Sequence, residues 1–208
     1  MQDGEMEWNE FIALMEDFLD LSERTGDIWS LHGRKEEVGG AYLVRKVRQC
    51  GEPFSPNVHL DAYDLEESCM EDEEDSSSRA SKDVHCNEAS DQFWEHHVVY
   101  SASYRVPVIY FNAWRSSGEL LSLEEIWHEV HRSFAEVGDS IGPDMWELVS
   151  QQEHPVLGKP FFVLHPCRTA KFLASLGSLS CGNLLVPWLS SLGPLVKLNL
   201  CPSYAREK

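Results

Sequence analysis

The sequence predicts an α+β fold, an antiparallel sheet of about 4–7 strands flanked by an N-terminal helix and by C-terminal helices. Three observations carry that prediction. A helical stripe opens the chain, segments with strand patterning then follow closely enough to pair as hairpins, and helical faces return only after residue 122. The 208 residues suffice for one core and an insertion, so the expected organisation is a single domain over 1–208 with 61–92 as an acidic loop inside it.

The first element is the helix. "EWNEFIALMEDFLDLSERTG" places Trp8, Phe11, Ile12, Met15, Phe18 and Leu19 on one face, with Gly26 just beyond its end. Its polar face is acidic, whereas interfacial helices favour lysine and arginine, so it is expected to pack on a sheet rather than lie on a membrane. "DIWSLH" (27–32) and "GAYLVRKVRQC" (40–50) read as a strand hairpin across a Gly-Gly pair. Residues 51–92 then lose their aliphatics and gain a run of acids and a serine triplet, the composition of a solvated or disordered insertion. Strand patterning resumes in "FWEHHVVYSASYRVPVIYFNAW" (93–114). Val98, Tyr100, Ala102, Tyr104 and Val106 alternate on one side, and His97, Val99, Ser101, Ser103 and Arg105 on the other. Pro107 has no N–H for a ladder and so marks an edge, a bend or a strand boundary, with Val108 to Trp114 as a further strand.

A helix start follows. Ser122-x-x-Glu125 is a capping box, in which the serine accepts an early backbone N–H and the glutamate reaches back. Leu123, Ile126, Trp127, Val130, His131 and Phe134 form the stripe behind it, where His131 reads as a hydrogen-bonded core histidine. "WELVSQQEHPVLGKP" reads as a short helix or turn passing into a loop. Phe161 to Leu164 is an apolar strand, and a helix is expected from "RTAKFLASLG". Leu185, Trp188, Leu189 and Leu192 share the last helical face, with Pro187 in its first turn and Gly193-Pro194 as the stop.

Charge narrows the function. The net charge of −18 is concentrated: residues 1–27 hold nine acids and one base, residues 61–91 twelve acids and two bases, and the remainder is neutral. Nucleic acid is not an expected partner, because phosphate binding needs a clustered positive face. The basic cluster Arg45-Lys46-Val47-Arg48 lies on a strand and reads as a solvated strand face, with a docking patch for an acidic partner as the other reading. No apolar stretch is long enough to cross a bilayer, and the first twenty residues hold no lysine or arginine, unlike a secretory or transit segment. The cytoplasm is the expected compartment. Six cysteines without C-x-x-C pairing are expected as free thiols.

One cysteine stands out. In "GKPFFVLHPCRTAKFLASLG" a strand ends in His165-Pro166, Cys167 follows, and a helix begins. A thiol acts as its thiolate, which unpaired N–H groups at a helix mouth favour, and Arg168 adds positive charge beside it. Pro166 stiffens the turn. Against the nucleophile stands the commoner fate of cysteine, burial as a small inert hydrophobe, which is the reading for Cys50, Cys69, Cys86, Cys181 and Cys201. His154, His165, Cys167 and Cys181 lack the paired spacing of structural zinc, and neither a metal nor a cofactor is expected. A thiol hydrolase with His154 or His165 as base stays open as a lesser reading.

"YSASYRVPVIYFNAW", "LSLEEIW", "QQEHPVLGKPFFVLHPC" and "WLSSLGPLVKLNLCPSYA" together resemble the autophagy-related protein ten family, ubiquitin-conjugating-like enzymes of the autophagy pathway. The likeness runs from about residue 95 to 205, and more loosely through the first hairpin and helix. It implies a ubiquitin-conjugating-like fold and a reaction on Cys167. The activating enzyme, autophagy-related protein seven, would hand over autophagy-related protein twelve by its C-terminal glycine as a thioester. A lysine of autophagy-related protein five would then accept it. The alternatives are the sister enzyme of the pathway, which joins its modifier to a lipid, and a non-catalytic binding module on the same fold. Ordinary ubiquitin-conjugating enzymes carry His-Pro-Asn ahead of the cysteine, with the asparagine assigned to the oxyanion. Here Val156 follows His154-Pro155, and Cys167 itself follows His165-Pro166. An oxyanion donor is worth ~2.7–4 kcal/mol, so another group is expected to supply it. Backbone N–H groups at the helix start come first, then Asn112, Asn183 and Tyr104, with His165 and Pro166 as further support around the thiol.

Overall fold

Six strands, β1 (Ser30–Gly33), β2 (Ala41–Cys50), β3 (Asp91–Ser101), β4 (Val106–Arg115), β5 (Val149–Glu153) and β6 (Pro160–Leu164), form one antiparallel layer in the order β1-β2-β3-β4-β6-β5, and the helices cover one of its faces. The computed structural model describes residues 4–50, 91–137, 148–177 and 182–205. Helix α1 (Trp8–Thr25) begins at a reciprocal cap: the Glu10 carboxylate accepts the Glu7 N–H at 2.8 Å while the Glu7 side chain accepts the Glu10 N–H. It ends on Gly26 at φ 72°, a left-handed position that glycine takes without a side-chain clash. Phe11, Met15 and Phe18 of its stripe are sealed from solvent, and Trp8 and Phe11 pack their rings on Tyr100 of the sheet. The sheet-packing helix expected from the sequence is therefore present.

Strands β1 (Ser30–Gly33) and β2 (Ala41–Cys50) pair as the predicted hairpin. β3 (Asp91–Ser101) pairs with β2 from Tyr42–Val99 to Cys50–Asp91. Asp91 and Gln92, assigned by sequence to the insertion, thus open a strand; the rest of the acidic stretch lies outside the described residues, as do Cys69, Cys86 and Cys181. The expected alternation from Val98 to Val106 is interrupted. β3 stops at Ser101, residues 102–105 turn, and β4 (Val106–Arg115) runs back along it, with Arg105 in the left-handed region at φ 53°. Pro107 lies inside β4 opposite Tyr100, where β6, paired only to Tyr110 and Phe111, leaves the other side of β4 unladdered.

Helix α2 (Leu123–Val137) has the predicted capping box: Ser122 N–H donates to Glu125 Oε2 at 2.8 Å and Glu125 N–H to Ser122 Oγ at 3.3 Å. His131 is half-buried at the margin of a stripe whose sealed members are Ile126 and Val130. Residues 149–153, read from sequence as a short helix or turn, are instead strand β5 (Val149–Glu153), paired along its length with β6 (Pro160–Leu164). Helices α3 (Thr169–Gly177) and α4 (Leu185–Leu192) and three 3-10 turns make up the remaining described elements.

The two faces of the sheet differ. Trp94, His96, Val98, Ile109, Phe111 and Leu43 face the helices and make the core. The opposite face carries Tyr42, Val44, Val99 and Tyr110, over which the β5–β6 loop folds His154. Arg45, expected on a solvated strand face, is only 15 % exposed: it pairs with Asp27 at 2.9 Å and donates to the Asn199 carbonyl at 2.8 Å, tying the C-terminal segment to the start of the sheet. Lys46 and Arg48, on the other face, do meet solvent beside Glu95 and Asp91.

Candidate active site

β6 delivers the thiol. Its apolar residues Phe161 to Leu164 are buried in the sheet, and the next residue, His165, is held in extended conformation by an N–H bond to the Leu148 carbonyl at 2.8 Å. The chain then turns through a 3-10 segment, Pro166–Arg168, before α3 starts. Pro166 occupies the first helical position, where its missing N–H costs nothing, and is buried; Cys167, one residue on, is exposed with a free thiol. The Thr169 N–H closes the turn on the Pro166 carbonyl, and Leu173, sealed in the core, anchors the helix behind it.

His165 caps this turn: its Nδ1 accepts the backbone N–H of Cys167 at 3.2 Å, so that nitrogen carries no proton in this arrangement. Two of the N–H groups expected to face the sulfur are therefore engaged, Cys167's by the imidazole and Thr169's by Pro166. Tyr104, 45 % exposed in the β3–β4 turn, sets its ring edge-on to the His165 ring at 6.0 Å. The structure thus brings together Tyr104, His165, Pro166 and Cys167, from two segments about sixty residues apart in the sequence. The side chain of Arg168 lies outside the described residues.

Asn112 and Asn183 are placed elsewhere. Asn112 is buried on the sheet face away from the helices and donates to the Pro160 carbonyl at 3.2 Å, at the opposite end of β6 from Cys167; its Oδ1 has no partner among the described residues. Asn183 donates to Leu14 of α1 and accepts the Leu185 N–H at the start of α4. The ladder thus carries Asn112 to the far end of β6, and Asn183 ties α1 to the start of α4. Cys201, half-buried, donates to Ser203 Oγ at 3.3 Å.

His154 also lies apart from Cys167, in a buried relay that sequence reasoning missed. Its Nδ1 accepts the N–H groups of Val156 and Leu157, both at 3.2 Å, which leaves Nε2 to donate to His97 Nδ1 at 3.0 Å; His97 Nε2 donates to Glu95 at 2.8 Å. Burial, reinforced by His97, holds His154 down at about 4, and the hydrogen bond from His97, aided by Lys46, holds the Glu95 carboxyl down at about 2. The two histidines are 57 residues apart, and only the pairing of β3 with β4, β4 with β6 and the fold-back of the loop joins them. Among the described residues no group of three His, Cys, Asp or Glu side chains is arranged to hold a metal, and His154 bonds to His97, Val156 and Leu157 at the Pro160 end of β6. No described helix is long and apolar enough to cross a membrane.

Comparison with known proteins agrees with this architecture. Residues 10–203 match the model of the family described as autophagocytosis associated protein, active-site domain. The ubiquitin-like-conjugating enzyme ATG10 of Homo sapiens is 36% identical over 211 residues, covering 98% of this chain and 92% of that protein. Those of Arabidopsis thaliana and Dictyostelium discoideum are 34% and 32% identical over 140 and 117 residues, or 64% and 50% of this chain and 60% and 50% of theirs. With the family model spanning nearly the whole sequence and an exposed thiol at the end of β6, the chain belongs to the autophagocytosis associated protein family, that of the ubiquitin-like-conjugating enzymes.

Proposed function

We propose that Cys167 carries autophagy-related protein twelve as a thioester and passes it to a lysine of autophagy-related protein five. The observation that carries this reading is the exposed thiol of Cys167, on a turn stiffened by Pro166 and capped by His165, in a chain of this family. In the first step the Cys167 thiolate attacks the C-terminal glycine carbonyl held as a thioester by the activating enzyme, autophagy-related protein seven. A new sulfur–carbon bond forms and the activating enzyme's thiolate leaves. In the second step the neutral amine of the acceptor lysine attacks the same carbonyl. The carbon–nitrogen bond forms, the sulfur–carbon bond to Cys167 breaks, the amine proton passes to solvent or a nearby base, and the thiolate is restored. The thioester divides one difficult acyl transfer into two easier ones.

His165 is assigned to positioning, since its acceptor nitrogen fixes the Cys167 backbone, and Tyr104 to packing that imidazole. Asn112 receives no role at the oxyanion, because it bonds to Pro160 at the far end of β6. A protein acceptor is favoured over a lipid one by α1, whose apolar stripe is spent on the core and whose outer face is acidic. The exposure of Cys167 weighs against a purely structural module.

The test is a reconstituted reaction with activating enzyme, modifier and acceptor. Cys167→Ser is expected to trap a modifier adduct that resists thiol reductant and to abolish transfer, while serine at each of the other five cysteines leaves transfer intact. Loss of transfer in Cys181→Ser with activity retained in Cys167→Ser would overturn the assignment. Release of free modifier without acceptor present would instead indicate a hydrolase.

A further inference from the structure

We infer that residues 4–7, ahead of α1, form a strap that positions the Tyr104 turn against the Cys167 turn, with Gly4 and Arg105 as its two positioning residues. The inference rests on Cys167 being the acyl carrier. The strap touches three elements. Gly4, at φ 80°, lies against the first turn of α3, so closely that a methyl group on it would collide with the Ala170 carbonyl. Met6, buried, accepts the Tyr100 hydroxyl at 2.9 Å through its carbonyl, and its N–H donates to the Arg105 carbonyl at 2.8 Å. Glu5 and Glu7, on either side, both pair with the Arg105 guanidinium, Glu5 at 3.4 Å.

The end of this chain of contacts is the thiol. Arg105 holds a left-handed backbone angle that arginine rarely adopts: its N–H closes the turn on the Ser101 carbonyl at 2.7 Å, while its carbonyl and guanidinium are bound by the strap. The residue before it is Tyr104, whose ring meets His165, whose Nδ1 in turn holds the Cys167 N–H. From the other side the strap abuts Ala170, three residues beyond Cys167. One short segment therefore clamps both halves of the junction, the turn carrying Tyr104 and the helix leading away from the sulfur. A brace needed only to start α1 requires neither the contact with α3 nor the two carboxylates on Arg105.

The experiment is a double-mutant cycle on the full chain with Gly4→Ala, Tyr104→Ala and both, read in two ways. One readout is the single-turnover transfer rate from preloaded Cys167; the other is alkylation of Cys167 by iodoacetamide, which needs no acyl-carrier role. Gly4→Ala is expected to slow transfer about tenfold, as a displacement of an ångström or less in a reacting site does, and to alter the alkylation rate. In the Tyr104→Ala background the same substitution is expected to add little, because the two act on one junction. Glu5→Gln/Glu7→Gln replaces Gly4→Ala if that variant does not fold, since both side chains are exposed. Additive effects, or transfer within twofold of the parent in the folded variant, would overturn the strap. If the parent forms no thioester on Cys167 the acyl-carrier reading fails instead, and the alkylation cycle still decides whether the strap positions the thiol.

Discussion

At the scale of single residues, the backbone of Cys167 is held by an acceptor two residues before it. His165 Nδ1 takes the Cys167 N–H much as a helix-capping side chain does, and an asparagine Oδ1 at the same place has the same reach. His165→Asn is therefore expected to retain most of the stability and transfer rate, whereas His165→Ala leaves the N–H without its acceptor. The alanine variant should lose about 1 kcal/mol, seen as a lower thermal midpoint, and should transfer more slowly in single turnover. Equal behaviour of the two variants would show that the cap does not matter. Sequence reasoning singled out His165, Pro166 and Cys167 because they adjoin one another, and guessed Tyr104 and Asn112 from their chemistry alone. The turn at 102–105 brings one of the guesses to the site, and the β-ladder carries the other away.

At the scale of elements, local rules account for most of what forms. The stripe and Gly26 set α1, and the capping box sets the start of α2. Ser122→Ala should cost about 1 kcal/mol, measured as a shift of the urea midpoint at unchanged slope, with the sheet unaffected. Where local rules failed, tertiary pairing was the cause. β5 reads Val-Ser-Gln-Gln-Glu, with no apolar alternation, because as the edge strand it is largely exposed and owes its conformation to the β6 ladder. The Val98–Val106 alternation ran straight through a turn because Ala102 and Tyr104 happen to keep the period while facing solvent. Nothing in their side chains marks the reversal; Arg105 takes the left-handed backbone angle there, with its N–H on the Ser101 carbonyl and its carbonyl on the Met6 N–H.

At the scale of the molecule, two buried histidines join the layers. His96 donates to the Val196 carbonyl at 2.7 Å, linking the sheet to the C-terminal turn, and burial above all holds it down at about 4; His154 binds the β5–β6 loop on the opposite face and is held down to the same degree. Each is neutral when folded and titrates near 6.5 when unfolded, so between those values the unfolded chain binds more protons. Stability is thus fully present above about pH 6.5 and is lost as pH falls towards 4, by roughly 2–3 kcal/mol from His96 alone. Urea unfolding across that range should show the decline, and His96→Gln should flatten part of it; a profile level from pH 7 to 4 would contradict the burial argument. At lower pH the Glu95 carboxyl, held at about 2 by His97 and Lys46, adds a further loss as it protonates.

What the sequence determined by itself was periodic or contiguous: the helical stripes, the caps, the hairpin strands, and the His-Pro-Cys run at the end of an apolar strand, since each is written within one turn or a few residues. What only the tertiary structure decided was every relation across distant segments. These include the edge strand, the Arg45–Asp27 tie, the His97–His154 relay, and the junction of Tyr104, His165 and the 4–7 strap around the thiol. Such relations depend on strand register and layer packing, where a shift of one residue reverses which face a side chain meets, and no local pattern encodes that choice.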